Sequence, residues 1–162
     1  MIRSKFIAVL IIVVLLAFGA GYFISHHNSS SNNSTGVSNG KTVDLSGQQL
    51  TTIPESVLNQ TNITNLNLSN NQLVTLPAGI SKLANLQVLN VENNRLVSLP
   101  TEIGKLKHLT SADFSNNRLM GLPPQLGNLT QLKFLNLTGY KSSPRDIEQL
   151  RIMLPNTQIK SS

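Results

Sequence analysis

The sequence predicts an α/β solenoid, a stack of similar coils with a short parallel sheet along one side. Three observations carry that prediction. The stretch from Ile63 to Gln131 states one pattern three times at an interval of 23 residues. Each copy places apolar residues at repeat positions 1, 4, 6, 11, 14, 18 and 21, which matches no continuous helix or strand. Each copy also has asparagine at position 9 and proline at position 15: Asn71 with Pro77, Asn94 with Pro100, Asn117 with Pro123.

Each part of the coil follows from local chemistry. The apolar pair at positions 4 and 6 (Leu66 and Leu68, Leu89 and Val91, Ala112 and Phe114) has period two, so it reads as a short strand with one face buried. The residues after position 9 turn the chain away. The proline fixes φ and ends any extended run. The stretch that follows, such as Ala78 to Leu83, keeps a three-residue apolar spacing suited to a 3₁₀ or short helical turn. One such unit cannot bury its own apolar face. Four or five stacked units bury a shared core and bring their strands into a parallel sheet at a spacing of about 4.8 Å. Asn71, Asn94 and Asn117 would then lie inside that core. A buried amide must be hydrogen-bonded, so the three are expected to form a ladder bridging backbone groups of adjacent coils.

These residues resemble the leucine-rich repeat family, in its 23-residue form with Leu-Pro in every repeat. That form is found in bacterial surface proteins and in the plant intracellular Ras-group proteins. The resemblance covers about residues 40–155. It implies a right-handed horseshoe arc with its sheet on the concave face, and a binding function whose partner differs from member to member.

The ends depart from the pattern. A degenerate first repeat spans 40–62, with Val43 and Leu45 at the strand positions and Gln48 in place of the ladder asparagine. Full repeats follow at 63–85, 86–108 and 109–131. The last repeat and cap take 132–160, where Tyr140 replaces the asparagine. Ser143 is an expected helix N-cap, with Pro144 at the first helical position and Asp146 in the first turn. Ile147, Leu150 and Leu154 fall on one face, so the segment reads as a capping helix that closes the solenoid.

Before the repeats, residues 1–5 are short and basic, with Arg3 and Lys5. Phe6 to Ile24 then runs for 19 residues without a charge. A helix of that length spans roughly 28 Å, close to the hydrocarbon thickness of a bilayer. The segment 6–24 is expected to be a transmembrane signal anchor. The positive residues before it keep the N-terminus cytoplasmic and send the repeats outward as a single-pass membrane protein. Cleavage after the small residues near Gly19 or Gly21 would instead give a secreted protein. Residues 25–39 are rich in serine and asparagine and read as a flexible linker. His26 and His27 have no third ligand nearby, so no metal site is expected.

Composition narrows the function. The chain has 162 residues, no cysteine and a net charge of +6, of which Arg3 and Lys5 supply two. No disulfide framework or thiolate metal site exists. The absence of cysteine-bearing caps, and sequons at Asn67 and Asn136 within expected strands, favour a bacterial protein. The positive charge is scattered, with no aromatic-interleaved basic stripe, so no nucleic-acid partner is expected. Lys105, Lys107 and His108 read as a solvated convex edge, with contact to anionic lipid or cell-wall polymer as the alternative. No nucleophile–base pair, metal cluster or phosphate loop is visible, so neither catalysis, cofactor nor small-molecule substrate is expected.

Strand residues that alternate with the core leucines should face the concave surface. They include Asn65, Asn67 and Ser69 in one repeat, Gln87, Val88, Asn90 and Glu92 in the next, and Asp113, Ser115 and Phe134 beyond. Val88 and Phe134 are the apolar members of one column, and an exposed aromatic is a common binding anchor. A protein or surface-glycan contact is expected around Phe134, Val88, Asn90 and Asp113, with Asn65, Asn67 and Gln87 beside them. Replacing Phe134 and Asp113 together is expected to abolish capture without lowering the melting temperature. The competing expectation packs Phe134 under the capping helix. The runner-up function is a structural or assembly scaffold, in which the transmembrane helix makes the specific contact.

Overall fold

The computed structural model describes residues 40–141 and 143–161. The anchor expected at 6–24 and the linker at 25–39 lie outside the described residues. Among the described residues, no helix is long and apolar enough to cross a membrane.

Six short strands form one parallel sheet in chain order: β1 (Lys41–Asp44), β2 (Ile63–Asn67), β3 (Val88–Asn90), β4 (Ser111–Asp113), β5 (Phe134–Asn136) and β6 (Gln158–Lys160). The register is the repeat itself. Leu66, Leu89, Ala112, Leu135 and Ile159 stand side by side across five strands. Their neighbours one residue before and after form two further columns.

In the three full repeats the opposite side of the coil is a tight turn that starts immediately after Leu-Pro. Ala78–Lys82, Thr101–Lys105 and Pro124–Asn128 are 3₁₀ helices, and the first coil has a single α-helical turn, α1 (Glu55–Leu58). The proline carbonyl begins each turn, as in the bonds from Ile80 N–H to Pro77 O (3.0 Å) and Ile103 N–H to Pro100 O (3.1 Å). Three residues per turn bring Ile80 and Leu83, or Ile103 and Leu106, back to the core. The core is continuous from Ile53 to Ile159. In the first coil Val43, Leu45 and Leu50 are only half-buried, since a terminal coil has a neighbour on one side.

Gly104 and Gly127 set how closely the 3₁₀ turns stack. A Cβ on Gly104 would sit 2.4 Å from the Gln125 carbonyl oxygen of the next coil. A Cβ on Gly127 would meet the end of the Met153 side chain.

The turn after each strand depends on a residue at repeat position 8. Asn70, Asn93 and Asn116 have φ of 58°, 54° and 54°, and Gly47 and Gly139 hold 66° and 89° at the equivalent places. Glycine and asparagine tolerate the left-handed region best, which explains why each coil has one of them there.

The C-terminal end differs from expectation. The helix α2 (Pro144–Met153) packs against the 3₁₀ turn Pro124–Asn128, with Leu150 and Leu154 buried and Ile147 half-buried. It does not close the domain. It is the convex segment of the fifth coil, and β6 follows it as a sixth strand. Gln158 N–H bonds to Lys133 O (2.8 Å), Leu137 N–H to Lys160 O (2.7 Å), and Thr157 Oγ1 to Leu132 O (2.8 Å). The longer helix puts β6 24 residues after β5 instead of 23, so the repeat loses phase where its last strand lies. Ser143 occupies the N-cap position, but its hydroxyl makes no capping bond. Its carbonyl accepts Asp146 N–H at 3.2 Å, and the Tyr140 hydroxyl donates to the Asp146 carboxylate.

Candidate binding face

The ladder residues connect the first four coils. Asn94 Oδ1 accepts the Leu73 N–H (3.0 Å), while its Nδ2 donates to the carbonyls of Leu68 (2.9 Å), Val91 (3.0 Å) and Glu92 (3.2 Å). Asn71 repeats this toward Leu50 N–H and the Leu45, Leu68 and Ser69 carbonyls. Asn117 repeats it toward Leu96 N–H and the Val91, Phe114 and Ser115 carbonyls. Asn71 and Asn94 are buried; Asn117 is half-buried. At the fifth coil Tyr140 stands at this position, half-buried on the core. Burial, then the hydrogen bond to Asp146, raises its phenol well above the ordinary tyrosine range.

This scaffold sets out the columns on the open face of the sheet. The column before the core residue runs Thr42, Asn65, Val88, Ser111, Phe134, Gln158. Val88 is 38% exposed, and Phe134 is half-buried and outside the apolar core cluster. Phe134 stands between Ser111 and Gln158 in the sheet, whereas α2 packs on the 3₁₀ side of the coil. Gln87 and Lys133 lie one residue earlier and are exposed.

The column after the core residue has a different role. Asn67, Asn90, Asp113 and Asn136 each accept, through Oδ1, the backbone N–H two residues on, at 2.9–3.1 Å. Asp44 does the same for Ser46 at 2.9 Å. These Asx turns end β1 to β5 and begin the left-handed bend. Asp113 makes two further bonds. Its Oδ1 also accepts the Ser115 hydroxyl (2.6 Å), and its Oδ2 accepts Asn136 Nδ2 (2.9 Å). Asp113 thus holds the fold, and a Phe134 and Asp113 double replacement would disturb stability as well as the surface. Asn67 and Asn90 keep Nδ2 without a partner among the described residues. Asn65 Nδ2 reaches Thr42 Oγ1 at 3.3 Å.

Ser69 and Ser115, expected on the open face, are buried, because the Asx turn bends the chain inward at that position. The residues that the sequence reading missed are Gln158 and Lys160 of β6, both exposed, which extend the face beyond Phe134. Charge is uneven along it. Asp44, Glu92 and Asp113 lie on the first four coils, with Lys41 at the near end, and Lys133 and Lys160 lie at the far end.

Two hollows lie beside α2. One, of about 240 Å³, is lined by Tyr140, Lys141, Ser143, Pro144, Ile147 and Ser161; the other lies between Pro123, Pro124 and Met153. Neither includes a residue of the open face. Among the described residues, no group of three or more His, Cys, Asp or Glu gathers as a metal site. His108 is exposed at the end of a convex turn, beside Lys107, whose Nζ donates to Asn128 O at 3.1 Å.

The family model described as Leucine rich repeat matches residues 38–96 and 84–140. The chain belongs to the leucine-rich repeat family. Among solved structures, it is similar to a leucine-rich repeat protein of Leptospira interrogans, at 38% identity with a TM-score of 0.64. That match covers 69% of this chain and 29% of the other, so the chain spans less than a third of that protein. No curated protein matches it. Leucine-rich repeat domains are typically non-enzymatic scaffolds and commonly bind proteins.

Proposed function

We propose that this chain is a membrane-anchored leucine-rich repeat module, presented outside the cytoplasm, that recognises a protein or surface polymer through the open face of its sheet. The observation that carries the reading is the column containing Val88 and Phe134. Two apolar side chains stand outside the core on a rigid, otherwise polar sheet, flanked by Gln87, Lys133 and Gln158. A rigid platform loses little side-chain and backbone freedom on binding, which suits recognition over an open surface. The charge-free run 6–24 behind Arg3 and Lys5, and the Ser/Asn-rich stretch after it, support an anchor and a tether.

The test uses photo-crosslinking residues at Gln87 and Lys133 on intact cells, with the same probe at Lys105 on the convex turn. A tag at Ser162 reports exposure to external protease. The reading expects tag removal from a membrane-bound chain, and adducts from Gln87 and Lys133 but not Lys105. Equal adducts from Lys105 would remove the open face as the binding surface. A tag released into the medium at full length would replace the anchored form by a secreted one.

A further inference from the structure

The flank of the solenoid, away from both the open face and the 3₁₀ side, has an ordered strip that the binding reading does not use. Arg95, Arg118 and Lys141 recur at intervals of 23 residues, directly after the ladder position. Arg95 N–H bonds to Leu73 O and Arg118 N–H to Leu96 O, each at 2.9 Å, so the two arginine-bearing segments lie in register on adjacent coils. Asn116 N–H to Thr138 O (2.9 Å) keeps the next coil in phase as far as Thr138, three residues before Lys141. The two arginines therefore repeat at about the strand spacing of 4.8 Å, with Lys141 following on the next coil. All three are exposed. Among the described residues the ion pair is Lys82 with Glu55, on the first convex turns, so none of the three has a carboxylate partner. Glu92, three residues before Arg95, makes no ion pair with it. Like charges this close repel one another, and an anionic surface relieves that repulsion.

A second row runs beside the first. Val74, Val97 and Met120 repeat at the same interval, joined by Val97 N–H to Val74 O and Met120 N–H to Val97 O, both 3.1 Å. Val74 is 50% exposed and Met120 75%. A soluble polyanion would use the cations but leave Met120 and Val74 in water. A lipid surface uses both rows, with phosphates for the cations and the apolar boundary beneath for the methionine and valine. We propose that this flank docks on an anionic lipid surface, leaving the open face of the sheet free. The inference is independent of the proposed binding function and of whether the N-terminal segment is an anchor.

The chain has no tryptophan, so a Met120→Trp variant of the full chain carries a single reporter. It is mixed with vesicles of phosphatidylcholine alone, or of equal parts phosphatidylcholine and phosphatidylglycerol, each with brominated acyl chains as quencher. Docking predicts quenching in the anionic vesicles and little in the neutral ones. Adding Arg95→Gln, Arg118→Gln and Lys141→Gln together should weaken that docking on the order of 100-fold, from the contribution of each cation near an anionic surface. A Lys105→Trp reporter on the convex turn should stay unquenched in both. Circular dichroism checks that each variant is folded. Equal quenching of Met120→Trp in both vesicles, no quenching in either, or equal quenching of Lys105→Trp overturns the proposal. So does binding of soluble polyphosphate without lipid quenching, which would assign the row to a polymer.

Discussion

Replacing Asn94 by leucine tests how the stack is held together. The substitution keeps volume and adds apolar surface, so a core seen only as hydrophobic would tolerate it. The hydrogen bonds predict the opposite. Asn94 makes four, but the acceptors it serves are not equally dependent on it. Leu68 O also receives Asn71 Nδ2, Val91 O receives Asn117 Nδ2, and Glu92 O receives Asn70 N–H. Each keeps a donor when Asn94 is gone. Leu73 N–H loses the partner that Asn94 Oδ1 provides at 3.0 Å, inside a buried coil. An orphaned buried donor costs about 1–3 kcal/mol, and the weakened carbonyls add roughly 1 kcal/mol more. Asn94→Leu should therefore destabilise the domain by about 2–4 kcal/mol in urea unfolding, read as a lower midpoint at unchanged slope. Asn117→Leu should cost less, because Asn117 is half-buried and water can reach its partners. Asn94→Asp gives an independent sign. It retains the acceptor for Leu73 N–H but turns a carboxylate oxygen toward carbonyls, which raises its folded pKa. The variant should be least stable at neutral pH and recover as pH falls through that raised pKa, whereas the leucine variant should show no such recovery. A loss under about 0.5 kcal/mol for Asn94→Leu, or a pH-independent Asn94→Asp, would refute the account of the ladder.

Three further perturbations follow from the same geometry. Asn93 has φ of 54°, so Asn93→Val should cost about 1–2 kcal/mol while Asn93→Gly stays near neutral, both measured by urea unfolding. Gly104→Ala drives a Cβ toward the Gln125 backbone oxygen and should cost about 1–3 kcal/mol, whereas Gly127→Ala meets a flexible methionine end and should cost less; similar losses at both sites would contradict the stacking argument. The raised Tyr140 phenol holds its proton more tightly in the folded state, so its contribution is complete below the ordinary tyrosine value near 10 and is lost as pH rises above it. Alkaline unfolding followed by circular dichroism should show that loss in the parent and not in Tyr140→Phe.

The parts of the fold legible in the sequence are those where one residue type has one physical job in every coil. Apolar residues three and two apart, a proline at the start of each convex turn and asparagine at the ladder position recur without exception from Ile63 to Pro123. The sixth strand was not legible. Ile159 is its sole buried residue, and a ten-residue helix has shifted it out of the repeat's phase. The left-handed turn at Asn70, Asn93 and Asn116 was present as an Asn-Asn doublet, but the ladder role of the second asparagine hid the conformational role of the first. For the candidate face, alternation correctly separates Leu89 from Val88 and Asn90. It does not distinguish a polar side chain that is free from one bonded to its own backbone. Asn67, Asn90 and Asp113 are of the second kind, and seeing that needed coordinates.

The two outer columns of the sheet therefore differ in what evolution and experiment can change. Asp44, Asn67, Asn90, Asp113 and Asn136 close the same turn five times, so substitutions there act on the strand ends before they act on a partner. The other column has no such duty. Asn65, Val88, Ser111, Phe134 and Gln158 are chemically unlike one another on one regular backbone, the pattern expected where the coil tolerates any side chain. Specificity is free to vary in that column and in Gln87 and Lys133 beside it. Its apolar members are two coils apart, with Ser111 between them, and the cations Lys133 and Lys160 flank Phe134. A partner matched to this end of the sheet presents an apolar group for Phe134 with acidic groups around it. Rim charges of this kind act mainly on association rate and its salt dependence, while loss of the aromatic acts on dissociation.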